Sequence, residues 1–114
     1  MRKSRFTKAQ TMNLQITRED EGDLIVLCVQ GDISSVNAEV LEAAVLEAAM
    51  TPSRHLALDL GGVAYISSAG LRVLMMAAKR LRTRSERLSL RAVQPSLLTV
   101  LQMSNFTSFL DVVS

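Results

Sequence analysis

The 114-residue sequence contains few of the residues that build disulfides, metal sites or aromatic cores: one cysteine, one histidine, no tryptophan and 4% aromatic residues. The single cysteine, Cys28, excludes an intramolecular disulfide and indicates a reducing compartment. One cysteine and one histidine also cannot supply the usual four ligands of a structural zinc ion. The core must therefore be aliphatic, and Cys28 is predicted to be a small buried member of it.

Long apolar runs and a strong excess of charge are missing as well. No stretch approaches the roughly 18 apolar residues of a membrane span, and the basic N-terminus lacks the apolar segment of a signal peptide. The sequence therefore predicts a cytoplasmic protein with no membrane insertion, cofactor or metal ion. The formal net charge is only +2, and the basic cluster from Lys79 to Arg87 has no interleaved aromatic residues, so nucleic acid is disfavoured as a partner.

The order of predicted elements favours a single α/β domain over residues 11–114, preceded by a flexible N-terminal extension over 1–10. Alternating apolar and polar residues predict a first strand from Met12, followed by a polar turn over 19–23. Further strands are predicted at 24–30, 55–60 and 88–92, a last strand or helix at 109–113, and helices at 36–50, 68–82 and 96–103. This alternation predicts a mixed sheet of about four to five strands covered by about three to four helices.

The predicted helix 68–82 separates a core face from a face that carries methionine and cations. At about 100° per residue, one side gathers the core stripe of Gly70, Leu74, Ala77, Ala78 and Leu81. The other side carries Ser68, Arg72, Met75, Met76 and Lys79. Methionine is adaptable and common on recognition surfaces. Two interpretations of the methionines stay open: a surface that binds a partner, or packing beneath a loop.

Two serines, Ser67 and Ser68, stand where the chain passes from a strand into this helix. Serine is a favoured N-cap because its oxygen accepts hydrogen bonds from the free amides of the first turn. The domain would tolerate a phosphate on Ser68, since a helix N-terminus is partially positive and Arg72 lies one turn further on. The phosphate would also add about two negative charges to the exposed face. Ser68 is thus a candidate phosphorylation switch, with a purely structural cap as the alternative.

The stretch from Gly31 to Leu110 resembles the STAS domain family, in particular the bacterial anti-sigma factor antagonists. A Gly-acid-aliphatic pattern is matched by Gly31-Asp32-Ile33, and an aliphatic strand ending in Asp-Leu is matched by Leu58-Asp59-Leu60. The pattern aromatic-aliphatic-Asp-Ser-Ser/Thr-Gly-Leu is matched by residues 65–71, and a late proline before an apolar helix by residues 95–103. The resemblance implies the STAS fold for most of the chain.

The resemblance also implies a function. In that family the serine directly after the Asp accepts phosphate, and this position falls on Ser68. The unphosphorylated antagonist binds an anti-sigma factor that is a serine kinase with a histidine-kinase-like ATPase fold. Phosphorylation ends the binding, and a PP2C-type phosphatase restores it. In this sequence Ser67 replaces the usual Asp and Ala69 replaces the second Ser or Thr, which makes Ser67 the less favoured alternative acceptor.

The resulting prediction is a regulatory protein with no catalytic residues. Its predicted partner-binding surface comprises Asp32, Ser34, Ser67, Ser68, Ala69, Gly70, Arg72, Met75, Met76 and Lys79. The alternative is a STAS-domain subunit of a transporter or stress-sensing complex that binds its partner without a phosphorylation switch. An enzyme with a serine nucleophile is disfavoured, because Ser68 lacks a Gly-x-Ser-x-Gly turn and only His55 could serve as its base.

Overall fold

In the residues that the computed structural model describes (4–11, 13–51, 55–108 and 110–113), six strands form one mixed sheet. The strands are β1 (Ser4–Thr11), β2 (Leu14–Glu21), β3 (Leu24–Gln30), β4 (His55–Gly62), β5 (Leu88–Arg91) and β6 (Leu110–Val113). The α-helices in the same residues are α1 (Ala38–Ala49), α2 (Ser68–Arg82) and α3 (Pro95–Met103), with a 3₁₀ turn at Phe106–Ser108. This architecture confirms the predicted α/β class and its mixed sheet.

The strands are arranged in chain order across the sheet. β1, β2 and β3 pair antiparallel, whereas β3, β4, β5 and β6 pair parallel. Each parallel pair is joined by a helix, and the three crossovers advance in the same direction across the sheet. Because such crossovers are almost always right-handed, α1, α2 and α3 lie on one face. Parallel strands joined in this way also bring the starts of α1 and α2 to the same end of the domain.

The core lies between this helical layer and the sheet. Alternate residues of the central strands point into it, and Leu27, Leu58 and Leu60 have no exposed surface. The predicted core stripe of α2 is confirmed, since all five of its residues are buried, and Val73 joins them. The predicted bounds of α2 and β3 are confirmed as well. None of the helices in the described residues is long and apolar enough to cross a membrane.

The N-terminal part of the sheet differs from the prediction. Residues 1–10 were expected to be a flexible extension, but Ser4–Thr11 form β1 and pair with β2. Strand pairing joins main-chain groups, so a polar and basic segment can join an open sheet edge. The predicted start of the first strand at Met12 lies outside the described residues, and β2 begins at Leu14.

The predicted turn over 19–23 is also wrong at its start, because Glu19 lies within β2 and only Gly22 and Asp23 form the turn. Glu19 is 4% exposed. Its carboxylate accepts a hydrogen bond from the thiol of Cys28, with the sulfur 3.6 Å from Oε2. Cys28 itself is half-buried and not fully enclosed as predicted. Burial of a carboxylate requires a hydrogen-bond partner, and Cys28 on the neighbouring strand β3 supplies one.

Candidate functional site at the start of helix α2

The loops that follow β3 and β4 are joined by a short parallel bridge between Ile33 and Ile66. The Ile33 amide donates to the Tyr65 carbonyl at 2.9 Å, and the Ser67 amide donates to the Ile33 carbonyl at 2.8 Å. The two loops are therefore locked together by main-chain hydrogen bonds. This bridge brings the predicted site residues of the first loop, Asp32 among them, beside the start of α2.

Ser67 is the N-cap of α2, with an extended backbone at φ −80° and ψ 170°. Its Oγ accepts a hydrogen bond from the Gly70 amide at 3.2 Å, which satisfies one of the free amides of the first turn. Ser68 is the first helical residue, and it is exposed. Within the described part of the chain its hydroxyl makes no hydrogen bond. The two serines thus differ: one hydroxyl holds the helix start, and the other is available at the surface.

Gly70 was predicted both as a core residue and as part of the partner-binding surface, and only the first placement holds. It is buried beneath the bridge between the two loops. A Cβ atom at this position would lie 2.6 Å from Cγ2 of Ile33 and 2.6 Å from Cγ1 of Ile66. Such distances are far inside van der Waals contact, so the absence of a side chain allows α2 to pack against both isoleucines.

The loop before α1 is organised by Ser34 and Asn37. Oγ of Ser34 accepts from the amides of Val36 and Asn37 at 3.2 and 3.3 Å. In return Oδ1 of Asn37 accepts from the Ser34 amide at 2.8 Å, and its Nδ2 donates to the Asp32 carbonyl at 3.1 Å. Ser34 is consequently half-buried and engaged in the loop, whereas Asp32 is exposed.

Asn37 was missed by sequence reasoning, although a serine and an asparagine three residues apart are a common turn signal. The residue is 2% exposed. Its position as the N-cap means that α1 begins at Ala38, and the predicted start of the helix at residue 36 is wrong. Hydrogen bonds between Ser34 and the residues at 36 and 37 hold these two residues in a turn, so the helix starts two residues later than predicted.

The exposed side of α2 borders a groove of about 400 Å³ between α1 and α2. The predicted residues Ala69, Arg72 and Met76 line it from α2. Arg72 and Lys79 are exposed, while Met75 and Met76 are half-buried and pack partly against the core. Met76 thus packs partly against the core and also lines the groove, and the interpretation of this face as a partner-binding surface stays a prediction.

Across this groove, α1 contributes residues that sequence reasoning did not assign to the site. Glu39 and Glu42 line the groove together with Ala38 of the same helix, and Ser35 of the preceding loop joins them. Val36 and Tyr65 are further additions, with 66% and 55% of their surface exposed. Large apolar side chains exposed on two neighbouring loops are typical of protein-binding surfaces. Tyr65 had a sequence signal, since it is the aromatic residue of the matched motif, whereas Val36 had none.

His55 lies at the start of β4, whereas Ser68 follows the other end of that strand. The strand alone separates these ends by about 23 Å at its rise of about 3.3 Å per residue. His55 is exposed there, as the sequence predicted for a strand-edge histidine. It cannot act as a general base for Ser68, since a base must lie within hydrogen-bond reach.

Comparison with known proteins gives matches in sequence and in fold. A family model described as "Mlab, STAS domain" matches residues 16–113. A Bordetella bronchiseptica protein assigned as an anti-sigma factor antagonist, BtrV, is 37% identical over 99 residues, which are 87% of this chain and 85% of that protein.

Solved structures share the fold at lower identity. An anti-sigma factor antagonist from Mycobacterium paratuberculosis superposes with a TM-score of 0.79 and 22% identity, covering 87% of this chain and 84% of that one. The Bacillus anti-sigma factor antagonist SpoIIAA in its unphosphorylated form gives a TM-score of 0.68 and 14% identity, covering 89% and 87% of the two chains. In its phosphorylated form it gives 0.65 and 14%, covering 89% and 91%. The fold is therefore common to all three proteins.

Proposed function

This chain belongs to the STAS domain family, and from that premise we propose that it is an anti-sigma factor antagonist controlled by phosphorylation of Ser68. Its partner would be an anti-sigma factor that is also a serine kinase with a histidine-kinase-like ATPase fold. A PP2C-type phosphatase would reverse the modification, and all three proteins would meet in the cytoplasm. The observation that carries the proposal is the exposed Ser68 hydroxyl at the first position of α2, beside a serine whose hydroxyl already caps the helix.

The local geometry favours Ser68 over Ser67 as the acceptor. Phosphorylation of Ser67 would remove a cap that accepts from the Gly70 amide. Phosphorylation of Ser68 leaves that hydrogen bond in place and puts the phosphate at the partially positive end of a helix. Ser67 also replaces the carboxylate that the family usually has here, so the cap is retained while one negative charge beside the acceptor is lost.

The binding surface we propose surrounds this serine. It combines the exposed apolar residues Val36 and Tyr65 with Arg72 and the groove between α1 and α2. A phosphate on Ser68 would add about two negative charges to a region whose groove already carries Glu39 and Glu42. A kinase surface that fits the small, uncharged serine would then meet added bulk and a dianion that is costly to desolvate, so modification would end binding while the domain stays folded.

The proposal can be tested by capturing partners from a lysate of the native host with three baits. These are the wild-type chain, Ser68→Asp, and Ser96→Asp as a matched control at another exposed helix start. We expect wild type and Ser96→Asp to retain a histidine-kinase-like ATPase and Ser68→Asp to lose it, as read by mass spectrometry. The retained kinase, once purified, should phosphorylate wild type and Ser67→Ala but not Ser68→Ala.

The same experiment separates the alternative function. Retention of one transporter or stress-complex protein by all three baits would favour a STAS subunit that works without a switch. Equal retention of the kinase by wild type and Ser68→Asp would contradict the proposed role of Ser68 and leave it as an ordinary first residue of a helix.

A further inference from the structure

A second groove of about 710 Å³ lies at the opposite end of the helix pair, where α1 and α2 both end. Its apolar lining comes from Ala49, Met50 and Met76. We call it the distal groove. Its size lies within the range of about 300–1,000 Å³ that is usual for ligand-binding pockets. The matched motif and Ser68 lie at the other end of α2, although Met76 lines both grooves.

The distal groove is strongly basic. Lys79, Arg80 and Arg84 line it, and no acidic residue does so among the described residues. Cations near a helix C-terminus are favoured by the helix dipole, which accounts for the sign of this charge. The dipole does not account for Met50, whose surface is 66% exposed beside those cations. An exposed apolar side chain beside a cluster of cations is typical of a surface that another molecule covers.

The hydrogen bonding of Arg84 is a second, independent indication that the distal groove binds another molecule. Its Nη2 donates to Oε1 of Glu86 at 2.9 Å, but its Nη1 donates to the Thr51 carbonyl only at 3.4 Å. Its Nε is buried and makes no hydrogen bond within the described residues. A buried donor without an acceptor carries a desolvation cost that no hydrogen bond offsets. An acceptor that draws the guanidinium toward the groove would remove that cost.

We propose that the distal groove binds an acidic peptide segment of a partner protein, with one apolar side chain on Met50 and Met76 and carboxylates facing Lys79, Arg80 and Arg84. Charge complementarity selects the carboxylates, and the apolar lining selects a peptide over a small inorganic anion. A nucleic acid fits less well, since none of the residues that line the groove is aromatic and so none offers a surface on which bases stack.

The distal groove should act independently of Ser68. Along α2 the two sites are separated by about 18 Å at the helical rise of about 1.5 Å per residue. Charges at that separation are largely screened, because the Debye length is about 8 Å at physiological ionic strength. Phosphorylation of Ser68 should therefore change the electrostatics of the distal groove only weakly, although Met76 lines both grooves and partners bound in the two would be neighbours. The inference rests on the lining of the distal groove and not on the proposed function.

The test uses a fluorescein-labelled acidic peptide of about twelve Glu, Ala and Leu residues and its analogue with Gln in place of Glu. Binding of each to the 114-residue chain is followed by fluorescence anisotropy. We expect the acidic peptide to bind and the Gln analogue to bind at least about fivefold more weakly, because each exposed ion pair contributes only modestly. A labelled single-stranded DNA of similar charge is measured in parallel.

Matched variants locate the site. Arg80→Glu should weaken the acidic peptide about fivefold or more, whereas Arg82→Glu, the same change on an exposed arginine outside the groove, should have less than about a twofold effect. Met50→Asp should weaken it, whereas Met103→Asp, at a side chain that is 82% exposed on α3, should not. Ser68→Asp should bind like wild type. Circular dichroism confirms that each variant is folded.

Three results would overturn the proposal. Equal effects of Arg80→Glu and Arg82→Glu would mean that only the overall charge matters. Tighter binding of DNA than of the acidic peptide would identify the groove as a nucleic-acid site. Absence of peptide binding at low salt would mean that the cations serve only the helix ends. Ser68→Asp should leave the affinity for the peptide unchanged but abolish capture of the kinase. Failure of one proposal is therefore distinguishable from failure of the other.

Discussion

The two ends of helix α2 are both exposed and both border α1, yet they are built by different means. The start is held by main-chain hydrogen bonds from the Ile33 bridge and by direct contact of Gly70 with two isoleucines. The far end is defined by long cationic side chains around a groove. Close backbone packing leaves little freedom, whereas long charged side chains can adjust. A rigid start suits the proposed phosphorylation site, and an adjustable end suits the proposed peptide groove.

The largest effect on stability is expected from a substitution of Gly70, at the rigid start of α2. Gly70→Val should lower the free energy of unfolding by about 3 kcal/mol, since its side chain would overlap Ile33 and Ile66 at the locked end. Urea denaturation measures the change. Ala43→Val, at an exposed position inside α1, is the control and should cost less than about 1 kcal/mol. A small effect at Gly70 would mean that the start of α2 can move, contrary to the rigidity inferred here.

Asn37 should give the next largest effect. Asn37→Ala removes side-chain bonds to the Ser34 amide and the Asp32 carbonyl from a residue that is 2% exposed. We expect the free energy of unfolding to fall by about 2 kcal/mol, because buried polar groups would lose their partners. The control is Gln102→Ala, at an exposed position of α3. Asn105→Ala is unsuitable as a control, because Asn105 has a φ of +61° and its replacement would also strain the backbone. Equal stability of Asn37→Ala and wild type would show that the Asn37 side chain does not hold the loop.

The two adjacent serines at the start of α2 should differ in their contribution to stability. Ser67→Ala should lower the free energy of unfolding by about 1 kcal/mol through loss of the cap on the Gly70 amide. Ser68→Ala should change it by less than about 0.5 kcal/mol, since surface substitutions without hydrogen bonds are nearly neutral. Thermal unfolding of the two variants in one buffer is sufficient. The reverse order of effects would assign the capping role to Ser68 and weaken its assignment as the phosphate acceptor.

The smallest effect is expected at the far end of α2. Arg80→Gln should lower the free energy of unfolding by no more than about 0.5 kcal/mol, because an exposed cation in the last helical turn interacts only weakly with the dipole. The difference should vanish at 1 M salt, where the Debye length is about 3 Å. Measurement at low and high salt separates this term from packing. A loss above about 2 kcal/mol that persists in salt would show that Arg80 is part of the packed structure.

The elements that the sequence predicted well are those with a strong local signal. Helix α2 has an apolar stripe at helical spacing and a serine cap, and its bounds were predicted correctly. Strand β3 is an uninterrupted apolar run between turn residues, and it too was placed correctly. Where charge suggested a loop, the prediction failed: Glu19 was taken for part of a turn although it is buried in β2.

Some residues of the candidate site could be predicted from the sequence, and others could not. Ser68 and Arg72 follow from helical spacing and from the motif, because both lie on one continuous segment. Glu39, Glu42 and Tyr65 belong to the same region only because the crossovers bring α1 and the β4–α2 loop to one end of the sheet. The local pattern in one helix carries no information about which face of another helix it will meet.

By itself, the sequence determined the class of fold, the position of helix α2 and the serine at its start, since hydrophobic period and capping chemistry act over a few neighbouring residues. The tertiary structure decided which serine caps the helix and which is available, why residue 70 has no side chain, and where the grooves lie. Those outcomes depend on contacts such as Ile33 with Gly70, between residues far apart in the chain. Only the packed arrangement of strands and helices brings such residues within van der Waals distance, so a local sequence pattern cannot predict these contacts.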